Sequence, residues 1–178
     1  ATNRSFDFLR GRLGIRAEEL RQLDDAPRLV EAVVPSPFDF RSQTLLVVPT
    51  DLPEAGGHGS PELQAGTAGI TTDLAEITGG GLFVLFTSYR ALRQVAERLR
   101  SERLDARFPL FVHGEDGRAR LLDGFVRSGR GILLGTASFW EGVDVPGRPL
   151  RGLVIQKLPF RVPTEPVTAA RVEAVERE

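Results

Sequence analysis

The 178-residue sequence contains no cysteine, no methionine and only two histidines. Without cysteine, the chain can form no disulfide and can offer no thiolate to zinc or to an iron–sulfur cluster. Two histidines also argue against a histidine-rich metal site, so we predict no metal site within the chain. The missing methionine, together with the abrupt ends, indicates a piece of a longer protein.

Long apolar runs and a strong net charge are absent as well. No run approaches the roughly 20 apolar residues that a transmembrane helix needs, and the first residues do not form a secretory signal, so we predict a cytoplasmic protein. The formal net charge is −1 and the pI is about 6.2, which does not favour binding to nucleic acid by bulk charge alone. A hydrophobic content of 41% over this length is sufficient for one globular domain with a substantial core.

Short apolar runs alternate along the chain with segments of helical period. Leu82 to Phe86 is apolar throughout, as a strand that is covered on both faces would be. The alternation is typical of βαβ units, so we predict one α/β domain with an open, mostly parallel sheet and helices on both faces. The predicted strands are 44–48, 82–86, 108–112, 132–134 and 153–155. The predicted helices are 6–13, one or two within 16–34, 61–78, 89–100, 116–127 and a last one from about 164.

The starts and the buried faces of several helices can also be predicted. Ser5 and Ser60 fit capping positions, and Pro61 fits the first position of a helix. Residues 36–39 are typical of a turn that leads into a short helical segment. The apolar residues that we expect to be buried by their helical spacing are Leu63, Ile70, Leu74 and Ile77, then Leu92, Val95, Ala96 and Leu99, and then Leu121, Leu122, Phe125 and Val126.

The stretch GILLGTASFWEGVDVPG, residues 131–147, carries the densest set of candidate functional residues. Its apolar strand gives way to small and hydroxyl residues, then to an aromatic pair and to acids. Ligands of open α/β sheets bind in the crevice outside the carboxyl ends of the strands. The candidate site residues are therefore Ser138, Trp140, Glu141 and Asp144. In the alternative interpretation, Trp140 is a packing anchor and Asp144 is a turn acid.

A second candidate segment, Thr87 to Arg90, lies between the apolar run 82–86 and the clearest helix. The N-terminus of a helix offers free N–H groups and a partial positive charge, so it can bind a phosphate. Tyr89 could stack on a base. The alternative is that Ser88 only caps the helix and that Tyr89 only packs.

Two common kinds of catalytic site do not fit the sequence. A complete phosphate-binding loop ends in Gly-Lys-Ser/Thr, but Lys157 is the only lysine and Leu158 follows it. If the chain acts on a nucleotide, it must therefore supply one wall of a shared site. Ser138, His113 and Asp144 are the side-chain types of a hydrolase triad, yet the sequence around Ser138 is not a Gly-x-Ser-x-Gly elbow.

Several stretches in order give the sequence a family resemblance. These are SFDFLRGRLGI (5–15), SPFDF (36–40), DLPE (51–54), GGGLFVLFTSYRALRQVAERL (79–99), ILLGTASFWEGVDVPG (132–147) and LPFRVPTEPV (158–167). Together they resemble the second RecA-like motor domain of the DinG-type helicases, which are XPD-like members of helicase superfamily 2. The SFWEGVD block is the most specific part. The sequence departs from the family at His113-Gly114, where many members have Gln-Gly, and we assign no role to His113 on this basis.

The resemblance implies that residues 1–178 are half of a motor that hydrolyses ATP on Mg²⁺ and moves along single-stranded DNA, from 5′ to 3′. The other half is an N-terminal RecA-like domain of the same protein, which in many members also holds an iron–sulfur cluster. The last helicase motif, with its arginine finger, would follow residue 178, so the fragment alone is expected to turn over no ATP.

The resemblance also implies roles for individual residues. The residues implied to contact DNA are Thr87, Ser88, Tyr89, Arg90, Ser138 and Trp140. Those implied to reach the nucleotide are Glu141, Gly142 and Asp144. A different class of function, a non-catalytic module with the same fold that docks a protein partner, remains an alternative.

Overall fold

The computed structural model of the chain describes residues 5–15, 30–53, 60–160 and 165–176. The chain divides into two units, residues 1–48 and residues 49–178, and each is described by itself. The expectation of one domain over 1–178 stays a prediction.

Two short helices form in the described part of the first unit. Helix α1, Asp7–Leu13, begins where the Ser5 hydroxyl accepts the N–H of Asp7 at 3.0 Å, and it ends at Gly14, which has φ +68°. Helix α2, Phe40–Gln43, begins after Asp39, whose carboxylate accepts the N–H of Arg41. The predicted helix 6–13 and the predicted turn 36–39 are thus confirmed. Of the helix or helices predicted within 16–34, residues 16–29 lie outside the described residues, and 30–34 are not helical.

The prediction of a strand at 44–48 is wrong. Thr44 to Val48 form no strand, and all five residues are exposed, with Leu45 at 87% of its maximal accessibility. A strand needs the hydrogen bonds of a neighbouring strand. The described residues of the first unit contain no second strand with which this apolar run could pair.

The second unit is built around a parallel sheet. Its described strands are β1, Leu82–Leu85; β2, Leu110–Val112; β3, Ile132–Gly135; and β4, Gly152–Ile155. Its described α-helices are α3, Pro61–Thr78; α4, Tyr89–Ser101; α5, Arg118–Ser128; and α6, Pro166–Glu176. The strand order is β2-β3-β1-β4, and every pairing is parallel, with Leu82 opposite both Ile132 and Gly152. The strands predicted within this unit are confirmed, with small shifts at their ends.

Alternate side chains of the central strands point to two separate cores. Leu82, Val84 and Phe86 belong to a core that includes residues of α3 and α4. Phe83 and Leu85 belong to a second core with Leu121 and Phe125 of α5. The central strands are therefore covered on both faces, as the apolar run 82–86 predicted. Complete burial of a side chain such as Phe125 stabilises the fold by roughly 2–3 kcal/mol.

Two helices bury somewhat different faces from those expected. In α4 all four predicted residues are buried. In α3, Ile77 is 81% exposed, and in α5, Val126 is 40% exposed, so these two predictions are wrong. The buried face of α3 carries Leu63, as expected, together with Gln64 and with the smaller side chains of Thr67, Ala68, Thr71 and Ala75. Thr67 and Thr71 are tolerated there because each hydroxyl donates to the carbonyl four residues earlier, at 2.7 Å.

The helices in the described part of the chain include none with the length and apolar content that a membrane span requires.

Candidate functional site

The parallel strands bring the candidate segments to one edge of the sheet. The N–H of Phe86, just after β1, donates to the carbonyl of Gly135 at the end of β3, at 2.9 Å. The N–H of His113, just after β2, donates to the carbonyl of Leu134 at 3.0 Å. The segments that leave these three strands, beginning at Thr87, His113 and Thr136, therefore start side by side.

The start of α4 exposes the first candidate segment. Ser88 has extended backbone angles, and its hydroxyl accepts the N–H of Ala91 at 3.2 Å, so its capping role is confirmed. Thr87, Tyr89 and Arg90 are exposed. The first turn of α4 contains no acidic residue, so the positive end of the helix is not neutralised locally. Binding of a ligand here stays a prediction.

The loop after β3 begins with a turn that is packed closely on the strand end. Residues Ala137–Phe139 form one 3₁₀ turn, and Phe139 is buried in the second core. A β-carbon on Gly135 would lie only 2.7 Å from the β-carbon of Phe139. Glycine at the end of β3 is thus what permits this turn to fold back on the strand.

Trp140 ties the loop to the neighbouring strand β1. Its indole Nε1–H donates to the carbonyl of Phe86 at 3.2 Å, and the half-buried ring packs against the second core. The interpretation of Trp140 as a packing anchor is confirmed. A contact of its exposed part with a ligand stays a prediction.

Arg118, the first residue of α5, holds the same loop from the other side. Its Nε donates to the carbonyl of Ser138 at 3.0 Å, and its Nη2 donates to the carbonyl of Gly142 at 2.8 Å. Its guanidinium also lies over the ring of Phe139, 5.7 Å from the centroid. One planar side chain therefore fixes two backbone positions of the loop, which leaves the Ser138 side chain exposed.

The acids of the loop face the solvent. Val143 and Val145 pack against the second core, and Asp144, which lies between them, is exposed. Glu141 is exposed as well, and Gly142 has φ +66°, a conformation that side chains with a β-carbon rarely adopt. At this edge of the sheet the loop thus exposes two carboxylates and a glycine in the left-handed backbone conformation.

His113 contacts Tyr89 and Thr136. Its Nδ1 lies 2.8 Å from the Thr136 hydroxyl, and its Nε2 lies 3.0 Å from the Tyr89 hydroxyl. Burial, and to a smaller extent the charge of Arg118, lowers the pKa of His113 from its ordinary value of 6.5. Because these partners are not Ser138, the imidazole does not serve as the base that a Ser138 nucleophile would need. The hydrolase interpretation has no support.

Sequence reasoning missed Arg118 and assigned no role to His113, although both organise this edge. A signal for Arg118 was present, because the first turn of α5 has no acid and carries Arg118 and Arg120. Cations at the positive end of a helix are unfavourable, which indicates another use for at least one of them. His113 lies directly after β2 at the same edge, and that position was the only available signal.

Comparisons with known proteins found a matching family model and several similar proteins. The model of the family described as "Helicase C-terminal domain" matches residues 71–178. "ATP-dependent DNA helicase YoaA" of Escherichia coli K12 is 38% identical over 141 residues, which is 79% of this chain and 21% of that protein. "3'-5' exonuclease DinG" of Bacillus subtilis 168 is 32% identical over 176 residues, 98% of this chain and 18% of that protein. "ATP-dependent helicase DinG" of Mycobacterium tuberculosis H37Rv is 38% identical over 145 residues, 80% of this chain and 21% of that protein. The chain spans about a fifth of the length of the curated relatives that it matches.

Proposed function

The chain belongs to the helicase C-terminal domain family, and from this membership we propose that residues 1–178 act as the second motor domain of an ATP-dependent DNA helicase. The resemblance to DinG-type helicases and the RecA-like α/β fold expected from the sequence are both confirmed. In this proposal the partner is a first RecA-like domain of the same cytoplasmic protein, and the motor moves 5′ to 3′ on single-stranded DNA.

One observation carries the proposal: the loop after β3 is held at the edge where α4 begins. Trp140 attaches this loop to Phe86, which is two residues before the cap of α4. A shift of the loop would therefore be transmitted to the start of α4. This is the mechanical connection that a motor needs between a nucleotide site and a DNA track.

The proposed DNA track consists of the exposed groups at this edge. The N-terminus of α4 and the Arg90 side chain would attract backbone phosphates. Ser138 and Trp140 would contact the DNA strand from the loop. Thr87, Ser88 and Tyr89 would line the track beside them. Support comes from the exposure of Thr87, Tyr89, Arg90 and Ser138, and from the lack of acid in the first turn of α4.

The proposed nucleotide wall consists of Glu141, Gly142 and Asp144. Exposed carboxylates repel phosphate oxygens, but they can accept hydrogen bonds from a ribose hydroxyl or from the water shell of Mg²⁺. The two carboxylates therefore fit the ribose of ATP better than its phosphates. When bound, ATP and Mg²⁺ supply the phosphoryl transfer that drives the motor. This chain has no Gly-Lys-Ser/Thr sequence to hold the phosphates. In the proposal that task belongs to the first motor domain.

The test uses the full-length protein and compares its ATPase activity with and without single-stranded DNA. Changing Ser88 or Trp140 to Ala should lower the DNA-stimulated rate more than the basal rate, because both residues lie on the proposed track. Arg127, which is exposed on α5 and paired with Asp123, provides a control, since Arg127→Ala should change neither rate. An equal loss of both rates in the Ser88 and Trp140 variants would contradict the DNA-track role.

A further inference from the structure

Lys157 is the only lysine in the sequence, and it lies just after β4, at the same edge of the sheet as the proposed DNA track. The chain has 23 basic residues, and all the others are arginines. Lys157 is exposed. Its ammonium group is a compact charge on a flexible stem, whereas arginine has a planar fork that suits fixed, paired contacts. Such a charge can stay close to an anion whose position changes.

Two hydrogen bonds of Gln156 fix the backbone directly before Lys157. The N–H of Gln156 donates to the carbonyl of Leu85, the last residue of β1, at 3.2 Å. Its side-chain Nε2 donates to the hydroxyl of the buried Thr67 on α3, at 3.0 Å. That hydroxyl already donates its proton to the carbonyl of Leu63, so it can only accept from Gln156, which determines the orientation of the amide. Lys157 therefore leaves the sheet from a fixed position beside the end of β1.

The charges at this edge are divided between its two sides. Strand β1 lies between β3 and β4. The loop that leaves β3 exposes Glu141 and Asp144, whereas residues 145–160, which include β4, contain no acid. Residues 87–93, which leave β1, contain no acid either, and they include the exposed Arg90 and Arg93. The segments that leave β1 and β4 therefore attract a phosphate, and the segment that leaves β3 repels it.

The ammonium group of Lys157 has no hydrogen-bond or ion-pair partner in the part of the chain that the structure describes. The ion pairs described there are formed by arginines, as in Arg100 with Glu115 and Arg107 with Glu76. Glu62, which is exposed in the first turn of α3, does not pair with Lys157. A phosphate that binds Lys157 therefore displaces only water and small ions, and no contact within the protein is lost.

We propose that the DNA track extends beyond α4 to the segment that follows β4, where Lys157 binds a backbone phosphate of single-stranded DNA. The identity of this ligand rests on the function proposed above. DNA is favoured over the phosphates of ATP, because the proposed nucleotide wall follows β3, on the far side of β1 from Lys157. Gln156 is the positioning residue that keeps Lys157 at this edge.

The first experiment measures the binding of a fluorescent oligo-dT to the chain over a range of salt concentrations. One phosphate contact contributes about 0.7 to the slope of log K against log salt for a single strand, so Lys157→Gln should lower the slope by about that amount. At low salt it should weaken binding by roughly 3- to 10-fold. Lys157→Arg keeps the charge and should keep the wild-type slope. Arg148→Gln is the matched control, because it removes one exposed charge near the other end of β4, and it should not change the slope.

The second experiment uses the single lysine as a chemical probe. Sulfo-NHS acetate acylates Lys157 and the N-terminal amine of the chain, and mass spectrometry measures the two rates separately. A saturating concentration of oligo-dT should slow the acylation of Lys157 by roughly 3-fold or more, relative to that of the N-terminal amine. An oligonucleotide with neutral methylphosphonate linkages, and ATP with Mg²⁺, should leave both rates unchanged.

Urea unfolding should give Lys157→Gln the same midpoint as the wild type, because the side chain is exposed and unpaired, so that weaker binding is not a consequence of unfolding. A wild-type slope in Lys157→Gln, or equal effects of Lys157→Gln and Arg148→Gln, would overturn the proposal. Protection by ATP with Mg²⁺ and not by oligo-dT would overturn it as well, since the phosphate would then be that of the nucleotide.

The failure of this inference can be distinguished from the failure of the proposed function. If the wild type and Lys157→Gln bound oligo-dT with the same affinity and slope, Lys157 would lie off the track, and the proposed function would stand. A wild-type chain that binds no oligo-dT at low salt would contradict the DNA-track role of this domain and, with it, the role of Lys157.

Discussion

The guanidinium of Arg118 donates to the carbonyl oxygen of Gly142 across 2.8 Å, although the two residues are 24 positions apart in the sequence. With its second bond, to the carbonyl of Ser138, Arg118 holds both ends of a five-residue stretch. The stretch contains Trp140 and Glu141, one proposed for the DNA side and the other for the nucleotide side. Arg118 thus sets the relative position of the two proposed contacts without being part of either.

Arg118→Lys should loosen this stretch while leaving the fold intact. A lysine keeps the charge but has no planar fork, so it cannot bond both carbonyls at once. We expect the free energy of unfolding to fall by only about 0.5–1 kcal/mol, because the site is exposed. Hydrogen exchange of the amides in 138–142 should accelerate by roughly 3- to 10-fold.

Arg120→Lys is the matched control, since Arg120 lies in the same turn and pairs only at the surface with Asp116. It should change neither stability nor exchange in 138–142 measurably. If both variants gave the same exchange pattern, the two bonds of Arg118 would not be what holds the loop.

The same chemical change, Gly to Ala, should have opposite effects at Gly135 and Gly69. A β-carbon at Gly135 would meet Phe139 at 2.7 Å, so Gly135→Ala should lower the free energy of unfolding by about 1–3 kcal/mol. Gly69 lies inside α3 with no atom within 4 Å of an added β-carbon. Gly69→Ala should raise stability by about 0.5–1 kcal/mol, through better helix propensity.

Urea unfolding of the two variants against the wild type checks both signs. A stable Gly135→Ala protein would mean that the turn at 137–139 can move away from the strand end at little cost. A neutral Gly69→Ala protein would mean that α3 gains nothing from the smaller entropy of its unfolded chain.

The contrast between Leu82–Leu85 and Thr44–Val48 shows what local sequence can and cannot predict about this fold. Both runs are apolar and suit a strand, and only the first forms one. For Leu82–Leu85 the partners Ile132–Gly135 and Gly152–Ile155 exist in the same unit. The composition of a short segment indicates a preference for an extended chain. Whether a neighbouring strand is available to pair with it depends on residues far away in the sequence, so the segment alone cannot show this.

The helical spacing of apolar residues correctly predicted that α3 exists, but it predicted only part of the face that α3 buries. The spacing of Leu63 and Ile77 is compatible with one apolar face, but the helix is rotated so that Thr67 and Thr71 are inward and Ile77 is outward. The two threonines satisfy their hydroxyls within the helix, which removes most of the cost of burying them. The spacing of apolar residues alone does not reveal that these hydrogen bonds offset the cost of burying a hydroxyl.

The sequence predicted which segments lie at this edge of the sheet, but it did not predict the hydrogen bonds that connect them. Ser138 and Asp144 were assigned because they follow an apolar strand, and Ser88 because it lies between an apolar strand and the start of a helix. Both rules depend only on chain order. Arg118 and His113 act through bonds to residues 20 to 24 positions away. Such bonds depend on side-chain direction in three dimensions, so only the structure reveals them.

Stability should depend on pH through His113. Its folded pKa is lowered from 6.5, so the unfolded chain binds the proton more readily than the folded chain does. The contribution is therefore complete above about pH 6.5 and is lost as the pH falls through that value toward the lower folded pKa. The urea midpoint of the wild type should drop between about pH 7.5 and pH 5.5 by more than that of His113→Gln. Carboxylates titrate in both proteins, so their effect cancels in the difference between the two urea midpoints. If the midpoints of the two proteins fell in parallel with pH, the pKa of His113 would be the same in the folded and the unfolded chain.

Ser88 offers the sharpest separation of capping from DNA binding, because the two roles respond oppositely to negative charge. Ser88→Ala loses the bond to the N–H of Ala91, and it should lower stability by about 1 kcal/mol. Ser88→Asp keeps a capping oxygen and adds a charge that the helix dipole favours, so its stability should equal or exceed that of the wild type. The same carboxylate would repel a DNA phosphate, and binding of oligo-dT should fall by about 10-fold or more at low salt.

Ser88→Asn completes this comparison, since it has the shape of Asp and caps equally well but carries no charge. It should match the wild type both in stability and in binding, and the Asp–Asn difference in binding should shrink as salt is added. If Asp and Asn bound DNA equally, the start of α4 would lie off the DNA track, and the hydroxyl of Ser88 would serve the helix alone. Capping and ligand binding both require an oxygen at position 88. Only a substitution that changes the charge and keeps the shape of the side chain can therefore distinguish the two roles.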